Sequence, residues 1–428
     1  MEILKASIEG FRNIDQANIE FLGITALVSL NSYGKSNLLK AIDFAVDFIN
    51  LDSDAKKRMM SWSSAIPLNR TIVSKDFLAD FEFKVTKGDR EYYINYGFTF
   101  SWVRDDDKGA RINKEWLKIK SGEKGQKYKS YILRDKSGAY YKTSQTGRCN
   151  NSIKIEKDEL VINKLKAYDS LYYIDLVMEI NNISVYIERH LDASVSYSPD
   201  PLVRKDFEDL DVSGVTNIPR TVFHLKRDYP EKYQLLENAF MQLFPQITEI
   251  SVDEVSVKSK TKTKFPQEVP YIMTDSIYVI TVVDKNLNQP INFERLSDGA
   301  KKVFLMLTYA LLADIKGLSL IAFEEPENSI HPSLLQSYLI VLNQLVNRCR
   351  IVIASHSPYI LKYLDPSNIY VGIPNEGGLA RFVRVQKSKV KSLLSDADAF
   401  DKSTGDYLFD LLGGSKDDIE QLKIYLEN

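Results

Sequence analysis

The 428 residues suffice for two or three compact domains, and 44% apolar with 27% charged residues is an ordinary globular balance, which excludes a fibrous or disordered chain. Fifty-six basic against 58 acidic side chains leave a net charge of −2, so wholesale coating of nucleic acid is excluded and any DNA contact must come from a local patch. Cys149 and Cys349 are too few for a disulfide framework or a four-cysteine zinc site, and with no signal-like start at Met1 and no apolar run of about 18 residues a soluble, cytoplasmic, non-membrane protein is expected.

Residues 2–14 alternate apolar and polar positions as a half-buried strand does. A second strand, 24–30, runs straight into Asn31–Asn37 and a segment where Leu38, Leu39, Ile42, Ala45, Val46 and Ile49 recur at helical spacing. Strand, tight loop, helix is the local order. From about 71 to 142, short alternating segments separated by turn signals predict an antiparallel meander. Residues 158–180 and 231–244 read as helices, and strands return at 247–257 and 275–284. The last third alternates between the two: 303–315 is apolar nearly all round and predicts a buried helix. Residues 318–323 and 350–355 are short apolar runs of the kind covered on both faces of a parallel sheet, with a helix opened by Pro332 between them.

The fragment Ser29–Asn37, SLNSYGKSN, is a P-loop in its required strand–helix context. Gly34 lets the backbone turn so that the amides of Asn31, Ser32, Tyr33 and Asn37 line the phosphates, with the helix dipole behind them. Lys35 is expected on the β- and γ-phosphates and the Ser36 hydroxyl on Mg²⁺; the first glycine of the pattern is Ser29 here. Glu324 and Glu325 end a buried strand, where two adjacent carboxylates are costly unless a cation or an ordered network offsets them or the strand end faces solvent. A Walker B arrangement gives Glu324 the Mg²⁺ shell and Glu325 the attacking water. Ser297, two residues before Gly299, is either an anion-binding helix start or a simple structural cap. His356 follows another buried strand and is either functional or a structural hydrogen-bonder. Lys258, Lys260, Lys262 and Lys264 alternate, as a phosphate-tracking stripe or a solvated hairpin tip.

Order and spacing join these signals: P-loop, then Ser297, then Glu325 after 28 residues, then His356 after 31 more. In this the sequence resembles the ABC ATPases of the SMC, RecF and OLD (overcoming-lysogenization-defect) type over roughly 1–50 and 285–365. The resemblance implies an α/β P-loop head with a mixed central sheet, binding ATP and Mg²⁺. Ser297 and Gly299 of one protomer would complete the site held by the P-loop of another, so the active form is at least a dimer. Glu325 would be the general base, His356 would contact the γ-phosphate, and Arg12 would lie near the base or ribose, although it equally suits a surface arginine beside a sheet edge. The tyrosine-rich segments 81–100, 112–119 and 131–141 are similar to the β-lobe of the AAA15 branch, which includes ATPase subunits of bacterial anti-phage systems.

The expected organisation is a P-loop half with β-lobe over 1–150, a mostly helical insertion over 151–250, and the signature, Walker B and histidine half over 251–428. Three functions compete. One is a defence ATPase that senses phage and controls a separately encoded, TOPRIM-like toxin. Another is a RecF- or SMC-like DNA repair ATPase. The third, an ATPase carrying its own nuclease, needs an acidic cluster beyond the head, and none is expected in the residues after His356.

Overall fold

A computed structural model describes residues 1–31, 33–104, 111–144, 147–165, 174–180, 182–188, 197–205, 210, 217–257, 266, 268–373 and 377–427. The chain forms two compact units, one of Met1–Ile187, Leu318–Glu324 and Arg348–Asn428, the other of Glu188–Gly317 and Glu325–Asn347. The boundaries expected at 150 and 250 therefore each fall inside a unit.

The first unit opens with β1 (Glu2–Phe11) and β2 (Ile14–Glu20), an antiparallel pair. The strand expected over 2–14 ends early because Arg12, at φ 51°, turns the chain back. β3 (Ile24–Val28) then leads to α1 (Lys35–Asn50) and α2 (Ser53–Met60). The expected meander follows as β4 (Phe77–Lys87), β5 (Arg90–Ser101), β6 (Arg111–Ser121), β7 (Lys129–Asp135), β8 (Gly138–Tyr141) and β9 (Asn151–Ile153). With β1 and β2 these strands make a sheet in the order β2-β1-β4-β5-β6-β7-β8-β9 among the described residues. Alternate residues of β4 are buried, as a one-sided sheet requires. The buried face carries Phe77, Phe98 and Phe100, which meet Phe44 and Phe48 of α1 at ring separations of 4.8–5.2 Å. That aromatic layer clamps the helix following the P-loop onto the lobe.

The region expected to be mostly helical holds both kinds of element. It contains α3 (Val161–Leu165), α4 (Ile174–Ile180) and β10 (Val185–Glu188), then β11 (Leu202–Arg204), α5 (Ile218–Asp228) and α6 (Pro230–Leu243). In the second unit β12 (Ile247–Ser256) pairs with β14 (Ser276–Asp284) and β14 with β15 (Ile291–Asn292), while β11 pairs with β13 (Tyr271–Met273). The all-round apolar segment is α7 (Asp298–Lys316), buried from Ala300 to Ala313 and ended by Gly317 at φ 68°. Phe240 of α6 and Phe293 pack on its Phe304 at 5.1 and 4.7 Å.

The chain then returns to the first unit as β16 (Leu320–Glu324), passes through α8 (Pro332–Leu345) in the second, and re-enters as β17 (Arg350–Ser355). After α9 (Pro358–Lys362) come β18 (Ile369–Ile373), β19 (Arg381–Arg384) and the helices α10 (Val390–Ala399), α11 (Thr404–Gly413) and α12 (Lys416–Lys423). The central sheet has the order β10-β16-β17-β3-β18-β19. Its strands β16, β17, β3 and β18 are parallel, with β19 antiparallel, so strands from both ends of the chain share one sheet. β16 is buried from Leu320 to Phe323 and β17 from Ile351 to Ser355, which explains their short apolar runs. Among the described residues no helix is long and apolar enough to cross a membrane.

Candidate functional site

The register of the parallel strands sets Glu324 opposite Ala354 and Ser355 opposite Val28. The carboxyl ends of β16, β17 and β3 therefore lie along one edge, the place where open α/β sheets bind ligands. Gly34 takes φ 100°, and a Cβ there would lie 2.6 Å from the Cβ of Ala380. Only glycine fits this turn. The first turn of α1 has no acidic residue and no side-chain cap, leaving its amides to an incoming anion. Lys35 is buried, its Nζ donating to the Ser29 carbonyl at 2.9 Å, the Ser29 hydroxyl at 3.2 Å and the Leu30 carbonyl at 3.4 Å. The Ser36 hydroxyl donates to Oε2 of Glu324 at 2.9 Å, joining two residues 288 apart in sequence.

Arg12 belongs to the same unit. Its Nη1 donates to Oδ1 of Asn37 at 2.8 Å and its Nε to the Ser64 carbonyl at 2.7 Å. Asn37 in turn donates to Oδ1 of Asn13 at 2.8 Å, and the Asn13 carbonyl accepts from Ala380 N at 2.8 Å. The β1–β2 turn is thus tied to the helix start that follows the P-loop. Asn31 is exposed and Tyr33 half-buried, whereas Ser32 lies outside the described residues. His356 is exposed, one residue past the end of β17, and Ser357 caps α9 after it.

Ser297, Gly299 and Glu325 belong to the second unit. Ser297 accepts from Ala300 N at 3.3 Å, the N-cap geometry of its structural reading. A Cβ on Gly299 would lie 2.5 Å from the Ser329 carbonyl, so the start of α7 rests directly on the turn after Glu325. Glu325 itself has φ 50°, a left-handed conformation that costs a non-glycine residue on the order of 1–3 kcal/mol. Asn328 Nδ2 donates to Oε2 of Glu325 at 2.9 Å, and Lys302 Nζ to its carbonyl at 3.1 Å. Burial lowers the Lys302 pKa, partly offset by Glu327 and Glu325. The Lys258–Lys264 stripe lies outside the described residues.

Sequence reasoning missed Asn13, Lys302 and Gly372. A lysine inside an all-apolar helix was a readable signal for Lys302. Gly372 of β18 carried none: a Cβ there would lie 2.7 Å from the Cβ of Ser29, so the glycine absent from the P-loop's first position sits on the neighbouring strand.

In fold the chain is similar to an SMC head solved bound to the C-winged helix domain of ScpA, at TM-score 0.52 and 15% identity over 92% of this chain and 100% of that one. The Smc head with an extended coiled coil bound to the C-terminal domain of ScpA from Pyrococcus furiosus gives TM-score 0.44 at 13% identity, covering 93% and 99%. The SMC head domain of Thermotoga maritima gives 0.43 at 11%, covering 90% and 100%. No curated protein sequence matches the chain. The first likeness, with the strand–loop–helix around Lys35, shows an SMC-head-like fold. The family described as "AAA domain, putative AbiEii toxin, Type IV TA system" matches residues 24–362, from β3 through α9, and the chain belongs to that family.

Proposed function

We propose that the chain hydrolyses ATP at composite sites shared by two copies, and that this cycle controls a separately encoded toxic partner, a TOPRIM-like nuclease, in an anti-phage defence system of the AAA15 kind. The observation that carries the nucleotide site is the Ser36–Glu324 hydrogen bond of 2.9 Å beside the buried Lys35. A hydroxyl and a carboxylate are the hard oxygen donors that suit Mg²⁺, and the Gly34 turn, where a Cβ would strike Ala380, takes a loop shape that no other residue allows. Ser36 and Glu324 would hold Mg²⁺, which when bound neutralises charge on the β- and γ-phosphates. Lys35 and the first amides of α1 bind those phosphates, and Asn37 with Arg12 orients the ribose or base. Glu325 takes the proton from water as the water oxygen attacks the γ-phosphorus; the bond to the β–γ bridging oxygen breaks and ADP leaves. His356 contacts the γ-phosphate, and Ser297 and Gly299 of a second copy close the site. The description of the family by a toxin–antitoxin system supports a role in conflict. The SMC head that this fold resembles is itself bound to a separate protein, which supports action through a partner.

Glu325→Gln keeps the shape of the base without its basicity and lowers kcat by about 10²–10⁴ while retaining ATP binding. Lys35→Ala loses ATP binding in a calorimetric titration. In cells carrying this gene and its neighbour, either change abolishes phage protection, and the neighbour's product co-purifies with the wild-type chain. Full protection by this gene alone, or DNA cleavage by the pure chain, overturns the partner reading.

A further inference from the structure

We infer that the end of the β-lobe carries a second anion site, separate from the P-loop, that takes a single nucleotide, free or within a single strand. Strands β5, β6 and β7 and the turn between the last two enclose a pocket of about 240 Å³. Arg90, Lys120, Lys127 and Lys129 line it against one acid, Glu123. Lys84 of the same lobe, by contrast, is paired with Glu91 at 2.6 Å. Among the described residues Arg90, Lys127 and Lys129 make no ion pair, so their positive charge is left facing the pocket. Nearby, burial and the charge of Lys129 together lower the Lys142 pKa, which is the field such a cluster must produce.

The aromatic half of the site comes from an irregularity in the sheet. The β6–β7 register runs from Leu117↔Ile132 to Lys118↔Ser130, leaving Tyr131 as the extra residue of a β-bulge. Bulges re-aim a side chain, and Tyr131, only 5% exposed, backs the pocket beside the part-exposed Tyr92 of β5. Lys142 Nζ sits 4.9 Å from the centre of the Tyr131 ring, holding it in place. Lysines alone would suit any polyanion; the part-exposed Tyr92 ring within a pocket this small selects a base with its phosphate. A paired base in a duplex shows only its edge and cannot lie on a ring.

The experiment uses the full chain with its P-loop filled by Mg²⁺ and a non-hydrolysable ATP analogue. The probe is a fluorescent oligothymidylate of about 12 nucleotides, within the length range of known single-strand sites. Binding is expected, weakening as salt rises, and Lys127→Glu/Lys129→Glu is expected to lower the affinity about tenfold or more. Both lysines are exposed, and an unchanged basal ATPase rate in this variant shows that the fold and the P-loop are intact. Tyr92→Leu, which keeps the bulk and removes the ring, should weaken binding severalfold. Competition by dTMP shows that a free nucleotide suffices; failure of dTMP to compete against a bound oligonucleotide places the nucleotide in a strand. No binding by the wild type, equal binding by the charge-reversed variant, or equal binding of a duplex of the same length overturns the inference.

Discussion

Ser29 is fully buried where a P-loop usually has glycine, and its hydroxyl accepts from Lys35 while donating to the Leu30 carbonyl at 2.9 Å. The room for its side chain comes from Gly372 across the β3–β18 pair. The two positions should therefore be energetically coupled. A Cβ at 372 meets Ser29 at 2.7 Å and Phe382 at 3.1 Å, so Gly372→Ala is expected to cost about 1–3 kcal/mol of stability by overpacking. In a Ser29→Gly background the first clash is gone and the same change should cost about 1 kcal/mol less. Denaturant titration of the four proteins measures this; strictly additive effects would mean that the glycine and the serine do not share the space.

Among the elements, β6 and α3 are joined by a carboxyl group that burial keeps near neutrality. Glu115 is fully buried in the middle of β6, accepting from Val161 N at 2.6 Å and Ile162 N at 2.9 Å, the first residues of α3, and from the Tyr96 hydroxyl at 3.1 Å. Burial pushes its pKa up to about 7, against those donors and the Arg134 charge. The folded protein thus binds this proton more tightly than the unfolded chain, whose carboxyl titrates near 4.5. Its contribution to stability is complete below pH 4.5 and is lost as pH rises to about 7, a change of about 3 kcal/mol at 1.4 kcal/mol per unit. Glu115→Gln removes the titration. The stability difference between wild type and variant should shift in the variant's favour by that order between pH 4.5 and 7.5; a difference constant with pH would show that the carboxyl stays ionised throughout.

At the scale of the molecule, the P-loop residues and the Ser297–Gly299 segment belong to different compact units, and the chain passes from one unit to the other at the Glu324–Glu325 peptide bond. If two copies share each ATP site, defects in the two segments must complement. Lys35→Ala disables the P-loop of its own chain, and Ser297→Arg disables what that chain lends to its partner. Each variant alone should be inactive. Mixed in equal amounts, about half the dimers pair one of each and hold one intact site of two, so roughly a quarter of wild-type ATPase activity should return. No recovery on mixing, with dimers present by sedimentation, would place each site within a single chain.

Local signals in the chain were enough for the strand–loop–helix around Gly34 and Lys35, the buried strands β16 and β17, the buried helix α7 and the alternating strands of the lobe. Each depends on turn chemistry or on a periodicity of a few residues, and neither needs a distant partner. The placing of β17 between β16 and β3 was decided only in three dimensions, as was the addition of β10 to the sheet edge, where a helical region was expected. So were the Ser36–Glu324 contact across 288 residues and the glycine that accommodates Ser29. Strand order and close approach arise from which surfaces pack, and a strand's own residues carry its pattern of burial without naming its neighbour.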